Sequence, residues 1–144
     1  MKYLGIDYGT KRIGVAVSDD LGKIAFPKEI ILNDAQHYEY LLKVIRNNKI
    51  ETIVLGESVH LDGSHNKLQR QIDTLKGKLE KEINLDIFYE KEWLSSVAAE
   101  SHLYTKGNIA NEKWSGNLNK KRRELADDKA AAVILQRFLD RIKK

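Results

Sequence analysis

The chain opens with two short runs in which larger apolar residues alternate with small or polar ones. Because strand side chains point to opposite faces in turn, this period of two predicts a hairpin across residues 3–18, with its turn at Tyr8-Gly-Thr-Lys11. One face takes the larger apolar side chains of Leu4, Ile6, Ile13, Val15 and Val17. The other face takes Tyr3, Gly5, Asp7, Gly14, Ala16 and Ser18. The pattern thus predicts Asp7 at the end of a largely buried strand.

The rest of the chain switches between strand and helix patterns. A third strand is predicted at Ile24–Leu32, and its Pro27, which has no N–H for a ladder hydrogen bond, indicates an edge strand or a bulge. Two further apolar runs predict the strands Thr52–Gly56 and Leu85–Tyr89. Helical spacing predicts four helices. The first covers about residues 35–48, with its N-cap at Asn33-Asp34, and the third covers about residues 95–104. The second has an apolar stripe of Leu68, Ile72, Leu75 and Leu79, and the last has one of Ala131, Ile134, Leu135, Phe138, Leu139 and Ile142.

This order, three strands followed by alternating helices and strands, is typical of an α/β protein. We expect a five-stranded mixed sheet, an antiparallel three-strand meander plus two parallel strands, with helices on both faces. The 144 residues contain neither repeats nor a Pro- or Ser-rich linker, and their number suits one domain spanning residues 1–144.

Composition narrows the possible functions. The formal net charge of +4, with 32% charged residues, permits a polyanionic partner such as nucleic acid. The chain has no cysteine, which excludes disulfides and thiolate chemistry and favours a cytoplasmic location. It shows no signal-peptide pattern and no apolar run long enough to span a bilayer, so no membrane partner is expected.

The hairpin turn places charge beside Asp7. A carboxylate buried without a partner is costly, so Asp7 needs a compensating cation: a lysine, an arginine or a metal ion. Gly9 lets the backbone approach a ligand closely, and a hydroxyl and two cations follow at Thr10, Lys11 and Arg12. An acid that can hold a metal, next to donors that can hold phosphate, indicates phosphate chemistry. The alternative is that Asp7 caps the turn and the two cations are only solvated.

Other acids are predicted at the same edge of the sheet. In open α/β sheets, sites gather at the carboxyl ends of the parallel strands. Glu90 and Glu92 follow the fifth strand there, and the last helix offers Asp127 or Asp128, between which helical phase does not choose. Converging carboxylates bind Mg²⁺ or Mn²⁺, and such ions activate water for phosphodiester hydrolysis. For Asp128, a cap at the start of the last helix is the favoured alternative.

The stretch Gly5-Ile-Asp-Tyr-Gly-Thr-Lys-Arg-Ile-Gly-Val-Ala-Val-Ser-Asp19 resembles the opening motif of the YqgF/RuvX family. These are small ribonuclease H-like proteins described as Holliday junction resolvases and as nucleases that mature the ends of pre-16S rRNA. Three more stretches are similar to family motifs: Ala25-Phe-Pro27, Gly56-Glu-Ser-Val-His-Leu-Asp-Gly-Ser64 and Asp127-Asp-Lys-Ala-Ala-Ala-Val-Ile-Leu-Gln136. The resemblance implies a ribonuclease H-like fold and a nuclease that uses Mg²⁺ or Mn²⁺, with catalytic metal ligands at Asp7, Glu92 and Asp127.

One motif departs from the family. Where the family usually ends the fifth strand with Asp-Glu-Arg-Leu, this chain keeps Glu92 but has Lys91 in place of the neighbouring acid and Trp93 in place of the arginine. Lysine and tryptophan do not reproduce the bidentate phosphate binding of arginine. Two alternatives therefore stay open: Glu90 as the ligand instead of Glu92, and a protein of the same fold that binds nucleic acid but cleaves weakly or not at all.

The most basic segment is Thr105–Arg123, with six cations and one acid for a net charge of +5. Its glycines and asparagines predict a mobile loop, and a basic loop that leads to a metal-site acid is suited to a nucleic-acid backbone. A solvated connector is the alternative. The expected partner is pre-rRNA or branched DNA, bound by a monomer or a homodimer. The predicted nucleic-acid contacts are Thr10, Lys11, Arg12, Lys120, Lys121, Arg122 and Arg123.

A further hypothesis rests on Asp7-Tyr-Gly-Thr10, which is also the Asp-x-Gly-Thr phosphate hairpin of actin-like ATPases. Those proteins need two such domains and a second phosphate loop, for which 144 residues are too few. We therefore expect nuclease activity and not ATPase activity.

Overall fold

The computed structural model describes residues 1–58, 67–91 and 116–143, and within the last range it describes side chains from Lys129 onward. The strands are β1 (Tyr3–Tyr8), β2 (Arg12–Ser18), β3 (Ala25–Leu32), β4 (Thr52–Glu57) and β5 (Asp86–Lys91). The helices are α1 (His37–Asn47), α2 (Lys67–Glu82) and α3 (Gly116–Ile142). No helix in the described ranges is both long and apolar enough to cross a bilayer. The helix predicted over about residues 95–104 lies outside the described residues.

Five strands form one mixed sheet in the order β3-β2-β1-β4-β5. β1, β2 and β3 are paired antiparallel, whereas β4 is parallel to both β1 and β5. The predicted meander and the two added parallel strands are confirmed. β4 has a neighbour on each side and its first five residues are buried, as expected for a continuous apolar strand in a parallel arrangement.

The sheet separates two hydrophobic cores, one under α1 and α2 and the other under α3. The first contains large aliphatic side chains from the hairpin, β4 and both helices, among them Leu4, Ile6, Ile13, Val15, Leu41, Ile53, Leu55, Ile72 and Leu79. The second is built from Ala16, Val54, Ala131, Ile134, Leu135, Phe138 and Leu139. The alternation predicted for the hairpin is confirmed, and helices cover both faces of the sheet.

β3 is an edge strand with an irregularity at its proline. Ala16 is opposite Pro27 and Val15 is opposite Glu29, so the pairing register shifts around Lys28. A bulge at this point removes the need for the proline to donate a ladder hydrogen bond. The edge position and the bulge, offered as alternatives from the sequence, both occur.

α1 starts later than the sequence pattern predicts. Its N-cap is Gln36, whose side chain makes no capping hydrogen bond, so the predicted cap at Asn33-Asp34 is wrong. Asp34 instead closes the preceding turn, where its carboxylate accepts a hydrogen bond from the backbone N–H of Gln36 at 2.9 Å. Asn33 contacts the β1–β2 turn, because it directly follows the strand that ends beside that turn.

α3 begins at Gly116, well before its apolar stripe, so the predicted mobile loop is wrong for residues 116–123. Lysine, arginine, glutamate, leucine and alanine fill most of its early turns, and their helix propensity outweighs that of the two asparagines. Asp127 and Asp128 lie about three turns inside the helix, so the expectation that Asp128 caps its start is also wrong. The remainder of the predicted loop lies outside the described residues. The helix contains the basic residues Lys120, Lys121, Arg122 and Arg123.

Candidate active site

The carboxyl ends of β1, β4 and β5 lie side by side at one edge of the sheet, as the strand order predicts. Continuing the β1–β4 register by one residue places Asp7 beside Gly56, and Gly56 pairs with Glu90. On its other side Asp7 pairs with Gly14. Asp7 therefore has a glycine on each neighbouring strand. Because adjacent strands are about 4.8 Å apart, the backbones of Asp7 and Glu90 are about 10 Å apart.

α3 crosses the sheet antiparallel to β1. Near the start of the strand, the rings of Tyr3 and Phe138 have their centroids 6.0 Å apart. Two residues further along, Gly5 faces the helix so closely that a Cβ atom added there would lie 2.8 Å from the Leu135 Cβ. As β1 advances toward Asp7, it thus meets progressively earlier residues of α3.

The turn of α3 that contains Asp127 lies level with the end of β1. The added Cβ at Gly5 would also lie 3.1 Å from the backbone oxygen of Ala131, so Gly5 sits between two turns of the helix. From Gly5 to Asp7 the strand advances about 6.7 Å, which corresponds to a little more than one helical turn. One turn before Ala131 along α3 are Asp127 and Asp128, so these residues lie level with Asp7.

Asp7 shares its face of the sheet with Tyr3 and Gly5, the residues that contact α3. It is partly buried, and no described side chain forms an ion pair or hydrogen bond with its carboxylate. Such a carboxylate suits a metal ion as its partner. Within the described part of the chain no three acids or histidines come together at metal-binding distances. Glu92 and Trp93 lie outside that part, and the Asp127 side chain is not described.

Glu90 is engaged by the far end of α3. Its side chain is 10% exposed, and one carboxylate oxygen lies 2.5 Å from Nη2 of Arg141. The following residue is fastened as well, since Arg137 Nη1 donates a hydrogen bond to the backbone oxygen of Lys91 at 3.4 Å. A carboxylate held this way already has its compensating charge, which disfavours Glu90 as a metal ligand. The end of β5 is thereby anchored to α3 immediately before Glu92.

The β1–β2 turn is tight and projects its polar residues outward. The backbone N–H of Gly9 donates to the oxygen of Arg12 at 2.9 Å. A Cβ atom at Gly9 would lie 2.5 Å from that same oxygen, so this position requires glycine. Thr10 and Lys11 are exposed, whereas Arg12 is partly buried. The three predicted phosphate contacts thus follow Asp7 on a compact turn.

A polar network around the buried Gln69 connects the end of β4 to α2 and β5. Gln69 is 1% exposed; its Oε1 accepts from the backbone N–H of Ser58 at 2.7 Å, and its Nε2 donates to Asp73 at 2.9 Å. Asp73 also accepts a hydrogen bond from the hydroxyl of Tyr89. Burial, together with this hydrogen bond, raises the pKa of Tyr89. The phenol therefore keeps its proton as a donor, and the network holds the start of the loop after β4.

Sequence reasoning missed three residues that shape this edge, namely Asn33, Gln69 and Arg141. Gln69 left a signal, because it lies three residues before Ile72 on the buried stripe of α2, where a polar side chain needs partners. Asn33 gave a misleading signal, since an asparagine before a helix is typical of an N-cap and not of a contact with a distant turn. Arg141 left none, because an arginine in the last turn of a helix is ordinary.

A mixed sheet in this strand order, with an acid ending β1 and a long helix crossing beside it, defines a ribonuclease H-like protein. The structure of Thermus thermophilus RuvC in complex with a Holliday junction substrate is similar, with a TM-score of 0.57 and 19% identity over 99% of this chain and 96% of that one. The fowlpox virus resolvase in complex with Holliday junction DNA matches with a TM-score of 0.63 and 10% identity over 100% of both chains. At these identities the similarity shows the fold alone.

The family model described as RuvX, Holliday junction resolvase, matches residues 1–141. Relatives from Maridesulfovibrio salexigens and Geobacillus kaustophilus, both named "Putative pre-16S rRNA nuclease", are 38% and 37% identical. These matches cover 98% and 97% of this chain and 99% and 98% of the relatives. The chain belongs to the RuvX family. This membership confirms the predicted family and places the chain among hydrolases that cleave phosphodiester bonds.

Proposed function

We propose that this protein is a nuclease that uses a divalent metal ion and processes the ends of pre-16S rRNA. Membership of the RuvX family supports cleavage of phosphodiester bonds, and the names of relatives at 38% and 37% identity support the RNA substrate. One structural observation carries the proposal: Asp7 is partly buried, has no cation among the described side chains, and lies at the same edge of the sheet as the end of β5, level with the turn of α3 that contains Asp127.

Asp7, Glu92 and Asp127 are the proposed metal ligands and catalytic residues. Carboxylate oxygens are the ligands that Mg²⁺ and Mn²⁺ prefer. The glycines beside Asp7, Gly14 and Gly56, add no side chain that could occupy the space between the strand ends and α3. The site therefore fits a small divalent ion with its water ligands.

Asp127 is preferred to Asp128 because of the family motif, since burial along α3 does not separate the two acids. Asp127 lies four and seven residues before Ala131 and Ile134, both of which are fully buried against the sheet. Asp128 lies four residues before Ala132, which is partly exposed, but seven before Leu135, which is also fully buried. The choice of Asp127 rests on its place as the first acid of the stretch Asp127–Gln136 that resembles the family motif.

The proposed division of labour follows from the positions of these groups. A divalent ion at this edge supplies an activated water and polarises the scissile phosphodiester. The three carboxylates fix the position of that ion. The turn and α3 hold the nucleic-acid backbone by charge and hydrogen bonds, which carry no sequence information. The proposed backbone contacts are Thr10, Lys11, Arg12, Lys120, Lys121, Arg122 and Arg123.

The proposed partner is precursor rRNA in the cytoplasm. RNA end processing requires one cut per strand, for which one copy of the chain suffices. A four-way DNA junction has two-fold symmetry, and cutting it symmetrically requires a homodimer. The substrate test therefore also bears on the oligomeric state.

The test compares Asp7→Asn with the matched control Asp86→Asn. Asp86 is exposed at the amino end of β5, so the same chemical change is made at the opposite edge of the sheet. Cleavage of a pre-16S rRNA end fragment and of a four-way DNA junction is measured with Mg²⁺, Mn²⁺ or EDTA. We expect Asp86→Asn to cleave the RNA like the parent, EDTA to stop both, and Asp7→Asn to lose more than about 100-fold in rate.

Other outcomes change the conclusion in different ways. Faster cleavage of the junction than of the RNA would show that the preferred substrate is branched DNA and not precursor rRNA. Undiminished cleavage by Asp7→Asn refutes the metal mechanism at this edge, whatever the substrate.

A second candidate, nucleic-acid binding without cleavage, is motivated by Lys91 at the end of β5. In the structure Lys91 is exposed and alternates with Glu90, so it lies on the face of the sheet opposite Asp7. Its charge is thus directed away from the proposed metal position, which favours the nuclease. Calorimetric titration with Mn²⁺ separates the two: RNA binding without Mn²⁺ binding at millimolar concentration supports the binding protein.

A further inference from the structure

Asn33 holds the backbone of the β1–β2 turn from the end of β3. Its backbone N–H donates to the oxygen of Lys11 at 2.9 Å, and its side-chain Nδ2 donates to the oxygen of Gly9 at 2.8 Å. Its Oδ1 accepts a hydrogen bond from the hydroxyl of Tyr8 at 3.3 Å. Asn33 thus binds two carbonyl groups of the turn and is itself held in place by the residue that precedes the turn.

Fixing a carbonyl group also fixes the amide on the other side of the same peptide bond. In a trans peptide the C=O of one residue and the N–H of the next point in opposite directions. Because Asn33 binds the oxygen of Gly9, the N–H of Thr10 is directed away from Asn33. Among the described residues, no group accepts a hydrogen bond from this N–H. The turn therefore presents a fixed donor with no partner in the described part of the chain, three residues after Asp7.

We propose that Asn33 is a positioning residue for the substrate: by binding the Gly9 carbonyl, it directs the Thr10 N–H toward a phosphate oxygen of the RNA backbone. This inference rests on the proposed nuclease function. An amide that is oriented in advance loses little conformational entropy when phosphate binds, whereas a free turn would lose more. The chemistry recognised is a phosphodiester oxygen, and Lys11 on the same turn supplies the charge that favours it.

Asn33→Ala removes the side-chain donor to Gly9 and leaves the charge of the turn unchanged. The chain offers a matched control in Asn48, whose Nδ2 donates to the backbone oxygen of Val44 at 2.8 Å and which is also partly buried. Asn48 lies between α1 and the start of β4, at the opposite edge of the sheet. Asn48→Ala therefore loses the same kind of hydrogen bond far from the turn.

Three measurements distinguish positioning from a general loss of stability. The first is the Kd for the RNA in EDTA, the second is KM and kcat with Mg²⁺, and the third is the Mn²⁺ concentration that gives half the maximal rate. For Asn33→Ala we expect Kd and KM to rise about tenfold or more, the effect of losing a hydrogen bond to a charged group. We expect kcat and the Mn²⁺ requirement to change less than about twofold, because Asp7 lies on β1 and not on the turn. Asn48→Ala is expected to lower Tm by a similar amount and to leave Kd and KM unchanged.

An unchanged Kd and KM in Asn33→Ala, or an equal rise in Asn48→Ala, overturns the inference. Should Asn33→Ala fail to fold, Asn33→Ser and Tyr8→Phe take its place: serine is too short to reach Gly9, and phenylalanine removes the donor that holds Oδ1. Both are then expected to raise Kd, the second by less. Metal-independent or absent cleavage by the parent refutes the proposed nuclease function instead, because the binding measured in EDTA requires no catalysis.

Discussion

Replacing Gly5 by alanine tests how closely α3 packs on β1. The new Cβ would lie 2.8 Å from the Cβ of Leu135 and 3.1 Å from the backbone oxygen of Ala131. Carbon atoms in contact are normally about 3.5–4.0 Å apart, so the helix has to move outward by about half to one ångström. Neither neighbour is the end of a flexible side chain that could rotate away.

The expected cost is that of overpacking a core position, about 1–3 kcal/mol, which lowers Tm by about 3–12 °C in a chain of this size. Gly77→Ala is the matched control, because it makes the same substitution where a new Cβ meets nothing within 4 Å. Gly77 lies in the interior of α2, so alanine there is expected to stabilise the protein by about 0.5–1 kcal/mol. The same chemical change should thus have opposite signs at the two glycines.

Thermal and urea unfolding followed by circular dichroism measure both effects. A nuclease assay at a temperature where the variants remain folded adds a second result: Gly5→Ala should lower kcat, because the displaced helix carries Asp127, while Gly77→Ala should not. A Tm of Gly5→Ala within about 1 °C of the parent would show that α3 does not lie this close to β1. The register that places Asp127 level with Asp7 would then be wrong as well.

Arg141→Met leaves the buried carboxylate of Glu90 without its partner and should lower the free energy of unfolding in urea by about 1–3 kcal/mol; a normal value would mean that Glu90 has another partner. Lys49 follows α1 with a φ of 53°, a left-handed backbone conformation that is strained for lysine but not for glycine. Lys49→Gly should therefore raise the free energy of unfolding by about 0.5–1 kcal/mol, and a decrease would show that Lys49 is not strained. A hydrogen bond to Glu29 and burial raise the pKa of Tyr40 to about 12. Because the unfolded pKa is about 10, this stabilisation is complete below pH 10 and is lost toward pH 12, so the stability of Tyr40→Phe should fall less over that range.

Periodicity was sufficient to predict the sheet, because burial on two faces determines the pattern of a strand directly. The alternation of Leu4 and Ile6 with Gly5 and Asp7 separated the two cores correctly. The start of α3 was not predictable in the same way. Its first turns precede the apolar stripe, so their sequence has no helical period of apolar residues, and only their intrinsic helix propensity indicates a helix.

Only those residues of the candidate site that lie in a sequence motif or at the end of a strand were predictable. Asp7 ends a strand, and its position follows from local alternation. The bond between Asn33 and Gly9 joins residues 24 positions apart, and the pair of Glu90 and Arg141 spans 51. Contacts of this kind depend on how strands and helices pack against each other. The sequence near either residue does not determine that packing, so these contacts could not be predicted from it.

The two faces of the sheet differ in a way that the proposed metal site explains. Under α1 and α2 the core consists of large aliphatic side chains, which bury more apolar area and stabilise the fold. Under α3 the corresponding strand positions include Gly5, Gly14 and Ala16, which bury little area but allow the helix to approach the backbone. A shared divalent ion requires its carboxylate oxygens within about 2.0–2.6 Å, and an aspartate side chain is short. Small residues beside Asp7 therefore reduce the hydrophobic stabilisation but bring α3 close to β1, as the proposed sharing of one ion by Asp7 and Asp127 would require.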